Sequence, residues 1–161
     1  MSSGQRASTV GSAPTSDRRH RRFAMPPQPT PVLRLNLLIT DLGFLFYWLT
    51  SALQLLPPEW LYKDHSDPFV IAWNWSFAPV DLAASATGLL ALWLARQRSP
   101  AWQHAALLSM TLTFSAGVFA LSFWALRSDF DPAWWLPNAY LVIWPVTCLC
   151  AVLPQRQPSA A

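Results

Sequence analysis

The chain has 161 residues, of which 53% are hydrophobic and only 12% are charged. Soluble domains carry about 25% charged residues, so this composition excludes an ordinary soluble domain. The formal net charge is +3, and six of the eleven Lys and Arg residues precede residue 35. Because the basic residues flank apolar segments and form no exposed face, we interpret them as topology signals and expect no nucleic-acid partner.

The first segment, residues 1–33, is rich in Arg, Ser and Pro and contains no long apolar run. Such a composition cannot offset the entropy of ordering, so it predicts a disordered tail. The basic cluster at 18–22 resembles a twin-arginine export signal. However, Pro26, Pro27 and Pro29 stand where such a signal needs an apolar segment. We therefore predict a cytoplasmic N-terminal tail, with a second short tail at 155–161.

Residues 34–154 are predicted to form one membrane domain. Four apolar spans lie at about 35–56, 69–95, 101–126 and 133–153. Each has the roughly 20 residues that a helix needs to cross a bilayer. A soluble helical bundle is disfavoured, because a surface helix needs a polar stripe and none of the four spans has one. The sequence thus predicts an all-α protein, a four-helix transmembrane bundle.

The orientation follows from the segments between the spans. Arginines flank the first span at its start and occupy the 96–99 loop, whereas the 59–67 and 127–131 loops are comparatively acidic. The positive-inside rule then predicts that both termini and the 96–99 loop are cytoplasmic. Arg outnumbers Lys ten to one, which is typical of a GC-rich bacterial genome. With the four spans, we therefore expect a multi-pass protein of the bacterial cytoplasmic (inner) membrane. Its partners would be the lipid bilayer and either a second copy or another membrane protein.

Asp67-Pro68 and Asp131-Pro132 each carry the residues of a helix start, with Asp as the cap and Pro in the first turn. Tryptophans follow both pairs closely. Tryptophan is enriched where a helix meets the membrane–water interface, so we predict one belt at each boundary. The outer belt would contain Trp60, Trp73, Trp75, Trp124, Trp134 and Trp135, and the inner belt Trp93 and Trp102.

Asp81 is the leading candidate for a site, because an ionised acid at the centre of a membrane helix costs about 2.5–3.5 kcal/mol. Pro79 precedes it by two residues, and Ser85 follows on the same helix face. Two interpretations stay open: a ligand or proton site, or a protonated carboxyl that hydrogen-bonds to another helix. Asn74, near the outer end of the same helix, is a further candidate.

Asp41 lies about six residues into the first predicted helix. We expect it to pair with Arg34, or with Arg96 or Arg98, whose long side chains can reach along a helix. Its depth differs from that of Asp81 by about 10 Å on straight helices, so the two should not form a dyad.

The outer loops supply a third group of candidates, namely Asp64, His65, Arg127 and Asp129. One histidine among scattered acids lacks the spacing of a metal site, so we interpret these residues as caps and solvated ion pairs. The sequence contains no phosphate-binding glycine loop and no zinc-protease motif. We predict no metal and no cofactor.

Three strings carry a family resemblance: ITDLGFLFYWLTSALQLLPPEWLYKDHSDP, AWNWSFAPVDLAASATGLLAL and LTFSAGVFALSFWALRSDFDPAWWLPN. They resemble the YvaD-like small bacterial membrane proteins, a family named for a domain of unknown function. The resemblance covers roughly residues 35–150. It implies a four-helix integral membrane protein with no assigned activity, and it supplies no catalytic residue.

Three functional classes stay open. The first is a non-enzymatic bundle that binds a ligand or partner around the buried carboxylate. The second is a proton-linked transport or channel subunit. The third is a membrane enzyme with a topology like that of sterol isomerases. An enzyme needs several acidic, basic or cation-stabilising groups at one depth, and only Asp81 is clearly placed, so the sequence favours a non-enzymatic protein.

Overall fold

The computed structural model describes residues 28–153, and every regular element in that range is an α-helix. The predicted tail at 155–161, and residues 1–27 of the predicted N-terminal tail, lie outside the described residues. The six helices are α1 (Pro31–Ala52), α2 (Pro58–Leu61), α3 (Pro68–Ser76), α4 (Ala78–Arg96), α5 (Trp102–Leu126) and α6 (Pro132–Val152). The all-α class is therefore confirmed.

Four helical stretches of the described chain are long and apolar enough to cross a membrane, with α3 and α4 counting together as one stretch of 29 residues. Their outward faces are apolar as well. On α1, for example, Leu42, Phe46 and Leu49 each leave more than half of their surface exposed. Soluble monomers rarely carry apolar surface that is continuous over such an area, so the exterior of the bundle is suited to lipid.

The first helix occupies 31–52, four residues earlier than the predicted 35–56. Thr30 caps it by accepting a 3.2 Å hydrogen bond from the amide of Leu33, and proline takes the first position. At the other end the helix stops because Gln54 adopts a positive φ of 50° and the amide of Leu55 bonds back to the carbonyl of Thr50. This is a Schellman ending, here formed without glycine.

The second predicted span, 69–95, corresponds to the stretch Pro68–Arg96, which is divided at Phe77 into α3 and α4. Pro79 has no amide hydrogen, and its ring would clash with the carbonyl four residues earlier, at Trp75. The helix therefore ends at Ser76, the chain bends, and a new helix begins at Ala78. The amide of Asp81 then donates to the carbonyl of Phe77 at 2.9 Å. Asp81 thus lies in the first turn of α4, directly after the bend.

The two predicted helix caps are confirmed. The carboxylate of Asp67 accepts a 2.9 Å bond from the amide of Phe69, and that of Asp131 accepts a 3.0 Å bond from the amide of Ala133. Each cap satisfies an amide that the helix itself cannot, and its negative charge complements the helix dipole.

The four long stretches are arranged in the order α1, α4, α5, α6, with the seam between α1 and α6 packed least extensively. We call the end that holds the 97–101 connection the turn end, and the end that holds the 53–67 and 127–131 segments the loop end. The turn end is filled by an apolar core. Its buried members are Leu33, Leu37, Ala91, Ala95, Trp102, Ala106, Met110, Trp144, Cys148 and Val152.

The predicted tryptophan belts are wrong at two positions. Trp102 is only 1% exposed and Trp124 only 3% exposed, so neither ring can face lipid. Trp60 and Trp93 are exposed by 73% and 55%, as an interfacial residue would be. Tryptophan therefore packs inside the bundle at both ends, as well as lying on its surface.

Candidate functional site

A cavity of about 420 Å³ lies between the helices at the loop end. Ligand pockets in proteins measure about 300–1,000 Å³, so this volume suits a small organic molecule. The cavity is walled by α1, α3, the start of α4, α5 and α6, with two residues from the segment after α1. Its lining consists of Ile39, Thr40, Gly43, Phe44, Tyr47, Trp48, Leu61, Tyr62, Trp73, Asn74, Phe77, Asp81, Ala116, Ala120, Trp124, Trp134, Pro137, Asn138, Tyr140 and Leu141.

Asp81 enters the cavity wall from the first turn of α4. Its carboxylate is 6% exposed and accepts a 3.0 Å hydrogen bond at Oδ2 from the indole Nε1 of Trp48 on α1. The other oxygen, Oδ1, has no hydrogen-bond partner in the described chain. Buried polar atoms are nearly always paired, and an unpaired one costs about 1–3 kcal/mol. Asp81 therefore places one buried, unpaired acceptor beside the cavity.

Asn74 brings a second polar group from the last turns of α3. Its Oδ1 accepts a 2.8 Å hydrogen bond from the hydroxyl of Tyr47, while its amide nitrogen Nδ2 is buried without a partner among the described residues. Thr40 of α1 supplies a third group, since its hydroxyl is also buried and unpaired in that range. The three residues that hold these unpaired atoms, Asp81, Asn74 and Thr40, thus all belong to the lining of a single cavity.

The remaining wall is largely aromatic. Trp73 stacks on Phe123 with ring centroids 3.9 Å apart and planes only 16° apart, and it meets Trp124 edge-on at 5.6 Å. On α1, Trp48 contacts Tyr47 edge-on at 5.0 Å. Contacts of this kind hold large flat side chains in one orientation, so the cavity has firm walls.

The second buried carboxylate, Asp41, lies at a different level of the α1–α4 contact and is fully buried. Its main-chain carbonyl accepts a 3.1 Å bond from the hydroxyl of Ser85, but neither carboxylate oxygen has a hydrogen-bond partner in residues 28–153. The expected pairing of Asp41 with an arginine is therefore wrong. Arg34 donates instead to the carbonyl of Pro29, five residues earlier in the chain, at 3.1 Å.

The sequence predicted that Asp41 and Asp81 do not form a dyad, and the structure agrees. On α4, Ser85 hydrogen-bonds to Asp41 of α1, whereas Asp81 hydrogen-bonds to Trp48 of α1. These two levels lie four residues apart on α4 and seven apart on α1, which corresponds to about 6–10 Å along the helices. Ser85 lies on the same buried side of α4 as Asp81, but its hydroxyl bonds to Asp41 and not at the level of Trp48.

The loop candidates form ion pairs that tie the two loop-end segments together. Lys63 Nζ lies 2.6 Å from Oδ2 of Asp129 and 3.7 Å from Oδ2 of Asp131, and Arg127 lies 3.0 Å from Oδ2 of Asp64. The hydrogen bond to Asp129 raises the pKa of Lys63, and the same bond lowers the pKa of Asp129. His65 is exposed. No cluster of three potential metal ligands occurs within the described range.

Sequence reasoning missed several residues of the cavity, above all Tyr47, Trp48 and Thr40. A signal was available for Trp48, which follows Asp41 by seven residues and therefore lies on the same face of α1. Its indole donor needs a partner inside an apolar span. For Thr40 and Tyr47 there was no such signal, because their relation to α3 and α4 depends on how the helices pack.

The fold and the cavity together define a class: a small helical bundle with four stretches able to span a membrane and a largely apolar cavity at one end. Within that class, the chain belongs to a family of unknown function (DUF5360), whose model matches residues 33–159. A relative from Bacillus subtilis (strain 168), described as "Uncharacterized protein YvaD", is 49% identical over 114 residues. The match covers 71% of this chain and 86% of the relative. The resemblance predicted from the sequence is thereby confirmed. No solved structure matches the chain.

Proposed function

We propose that this protein is a non-enzymatic integral membrane protein that binds an apolar small molecule in the loop-end cavity. One observation carries the proposal. The cavity of about 420 Å³ is lined mainly by apolar and aromatic side chains, and three of its lining residues hold buried polar atoms without partners in the described chain. A ligand that bonded to Asp81 Oδ1, Asn74 Nδ2 and Thr40 Oγ1 would recover the cost of burying them.

We also propose a location in the bacterial cytoplasmic membrane, with both termini and the turn end on the cytoplasmic side. The support is the distribution of charge. Arg34, Arg96 and Arg98 lie at the turn end, whereas the carboxylates of the 59–67 and 127–131 segments gather at the loop end. Positive residues are retained on the cytoplasmic side during insertion. The bacterial relative supports the assignment to a bacterium.

The ligand would enter from the bilayer. Ile39 of α1 lines the cavity and is 53% exposed, and Pro137 of α6 lines it and is exposed as well. These residues flank the least extensively packed seam of the bundle. An apolar molecule dissolved in lipid therefore has a direct route to the cavity through the seam between α1 and α6.

A second candidate function, proton-linked transport, is favoured by one specific observation. Asp41 is fully buried with both carboxylate oxygens unpaired in the described range, and ionisable residues inside membrane helices often belong to proton pathways. Because four helices enclose little aqueous space, this function would also require self-association or a partner. Asp41→Asn separates the two functions: it should leave ligand recovery unchanged if the protein only binds, and should abolish proton-coupled uptake if it transports.

Filling the cavity tests the binding function. Gly43 lines the cavity and is exposed, and a Cβ there would meet nothing within 4 Å, so Gly43→Phe places a ring at the open side of the cavity without a backbone clash. Leu42→Phe is the matched control, because Leu42 is 54% exposed on the outside of the same helix. Each protein is extracted into lipid nanodiscs, and its co-purifying small molecules are measured by mass spectrometry.

We expect one apolar compound to be enriched with the native protein and with Leu42→Phe, and to fall about tenfold or more with Gly43→Phe, equivalent to about 1.4 kcal/mol of binding. Equal recovery from all three proteins would refute a ligand in this cavity. Near-equal melting temperatures of the two variants would exclude unfolding as the reason for a loss.

A further inference from the structure

We infer that the cavity selects a lipophilic monocation, that is, an apolar molecule that carries a protonated amine or a quaternary ammonium group. This inference rests on the proposed function, and it names the chemical class of the ligand. It follows from the charge of the lining, from the free oxygen of Asp81 and from the aromatic walls.

The charge of the lining has one sign. Asp81 is the single carboxylate among the twenty residues that line the cavity, and none of them is Lys, Arg or His. A buried carboxylate without a counter-ion is costly, and a bound cation removes that cost. An anionic ligand would be repelled by Asp81, and the described lining contains no basic side chain to neutralise it.

Asp81 is also held in a position to receive such a cation. The indole of Trp48 donates to Oδ2, which fixes the orientation of the carboxylate and leaves Oδ1 as the acceptor without a partner in the described chain. An ammonium group that donates to Oδ1 would form a charge-assisted hydrogen bond, the stronger type.

The aromatic walls suit the same charge. Nine of the lining residues are Phe, Tyr or Trp. The faces of these rings carry negative electrostatic potential, and Trp attracts cations best of the three. Trp48, Trp73, Trp124 and Trp134 all belong to the lining. An ammonium group surrounded by alkyl or ring carbons would meet the carboxylate with its charge and the walls with its apolar surface.

A matched pair of probes tests this inference. Adamantan-1-amine is a cation at neutral pH, and adamantan-1-ol is a neutral molecule of nearly the same shape. Each is titrated into nanodiscs that contain the full chain, and binding is followed by the fluorescence of the tryptophans in the lining. Gly43→Phe is titrated in parallel, so that partitioning into the lipid can be subtracted.

We expect the amine to bind at least about tenfold more tightly than the alcohol, and we expect Asp81→Asn to remove that preference while it leaves the alcohol bound. If the two probes bind the native protein equally, the cavity remains a ligand site and the cation inference is wrong. If neither probe binds the native protein differently from Gly43→Phe, the proposed function is wrong, and the inference falls with it. The comparison of the two probes on the native protein does not use Asp81→Asn, so it decides even where that variant fails to fold.

Discussion

The indole Nε1 of Trp48 donates a 3.0 Å hydrogen bond to Oδ2 of Asp81, and both side chains are buried. This bond joins α1 to α4 directly after the bend at Phe77, and both residues belong to the wall of the cavity. The bend, the helix contact and the candidate site therefore meet at one point. Any change to this bond should affect the stability of the bundle and the shape of the site together.

Trp48→Phe keeps an aromatic ring and removes the donor. Hydrogen bonds between membrane helices contribute about 0.6 kcal/mol on average and up to about 1.7 kcal/mol. We expect the variant to lose stability in that range, because both oxygens of Asp81 would then lack a protein partner. Thermal unfolding in detergent measures the loss. Trp93→Phe is the control, since Trp93 is 55% exposed and should tolerate the same change; equal melting of the two variants would contradict the prediction.

Gly88 is required by the close approach of α1 to α4. A Cβ at this position would overlap the carboxylate of Asp41. Overpacking of a filled interface costs about 1–3 kcal/mol, so Gly88→Ala should destabilise the protein by about that amount. Gly43→Ala is the matched control on α1, where a Cβ meets nothing within 4 Å. It should be neutral or stabilising by up to about 1 kcal/mol, because alanine favours the helix.

A double variant tests whether the side chain of Asp41 causes the loss of stability in Gly88→Ala. In the double variant Gly88→Ala with Asp41→Ala the obstructing carboxylate is gone, so the penalty of the alanine at 88 should disappear. Neighbouring residues couple in this way, whereas distant ones add. A penalty that persists in the Asp41→Ala background would mean that the strain comes from the backbone of α1 instead.

Much of the architecture was predictable, because a membrane helix is specified mainly by its own apolar length. The four spans and the caps at Asp67 and Asp131 follow from local sequence. The end of α1 could not be predicted from local sequence. Gln54 adopts a left-handed conformation that favours glycine, and a glutamine side chain does not indicate such a conformation. The bend was indicated by Pro79, although its position at Phe77 was not.

The candidate site was predictable only in part. Asp81 could be singled out from the sequence, because placing a carboxyl group inside an apolar span costs free energy. Its partner Trp48 lies 33 residues away in sequence, and the cavity is lined by residues from several helices. Asp41 was expected to find an arginine, yet the chain places it against Gly88 and Ser85. Such relations depend on helix packing, which local sequence does not encode.

The orientation gives a further prediction. In a variant that lacks Cys148 and Cys150, a single cysteine at His65 should react with a membrane-impermeant thiol reagent in intact cells. A single cysteine at Gln97 should react only after the cells are opened. Both positions are exposed, so burial cannot account for a difference. The expected result follows from the arginines at the turn end. Labelling of Gln97→Cys in intact cells, with His65→Cys protected, would reverse the orientation.

The ion pair between Lys63 and Asp129 predicts how stability depends on pH. The pKa of Asp129 is lowered below its usual 3.8 by the hydrogen bond from Lys63, so this group stabilises the fold above pH 3.8 and loses that effect as the pH falls through the lower, folded value. The pKa of Lys63 is raised above 10.5, so its contribution is complete below that pH and is lost as the pH rises through the folded value. The pair should therefore act fully from about pH 5 to about pH 9.

Lys63→Met removes the pair and should lower the melting temperature in detergent relative to the native protein across that range. The difference in melting temperature between the variant and the native protein should become smaller in acid, where Asp129 becomes protonated. It should also become smaller in strong alkali, where Lys63 loses its charge. Added salt should narrow it as well, because the side chains are 33% and 24% exposed and their attraction is screened. Glu59→Gln is the control, as it removes a charge from the same loop at an exposed position. A gap for Lys63→Met that is as wide at about pH 3 as at pH 7 would show that the lysine acts through packing of its carbon chain and not through its charge.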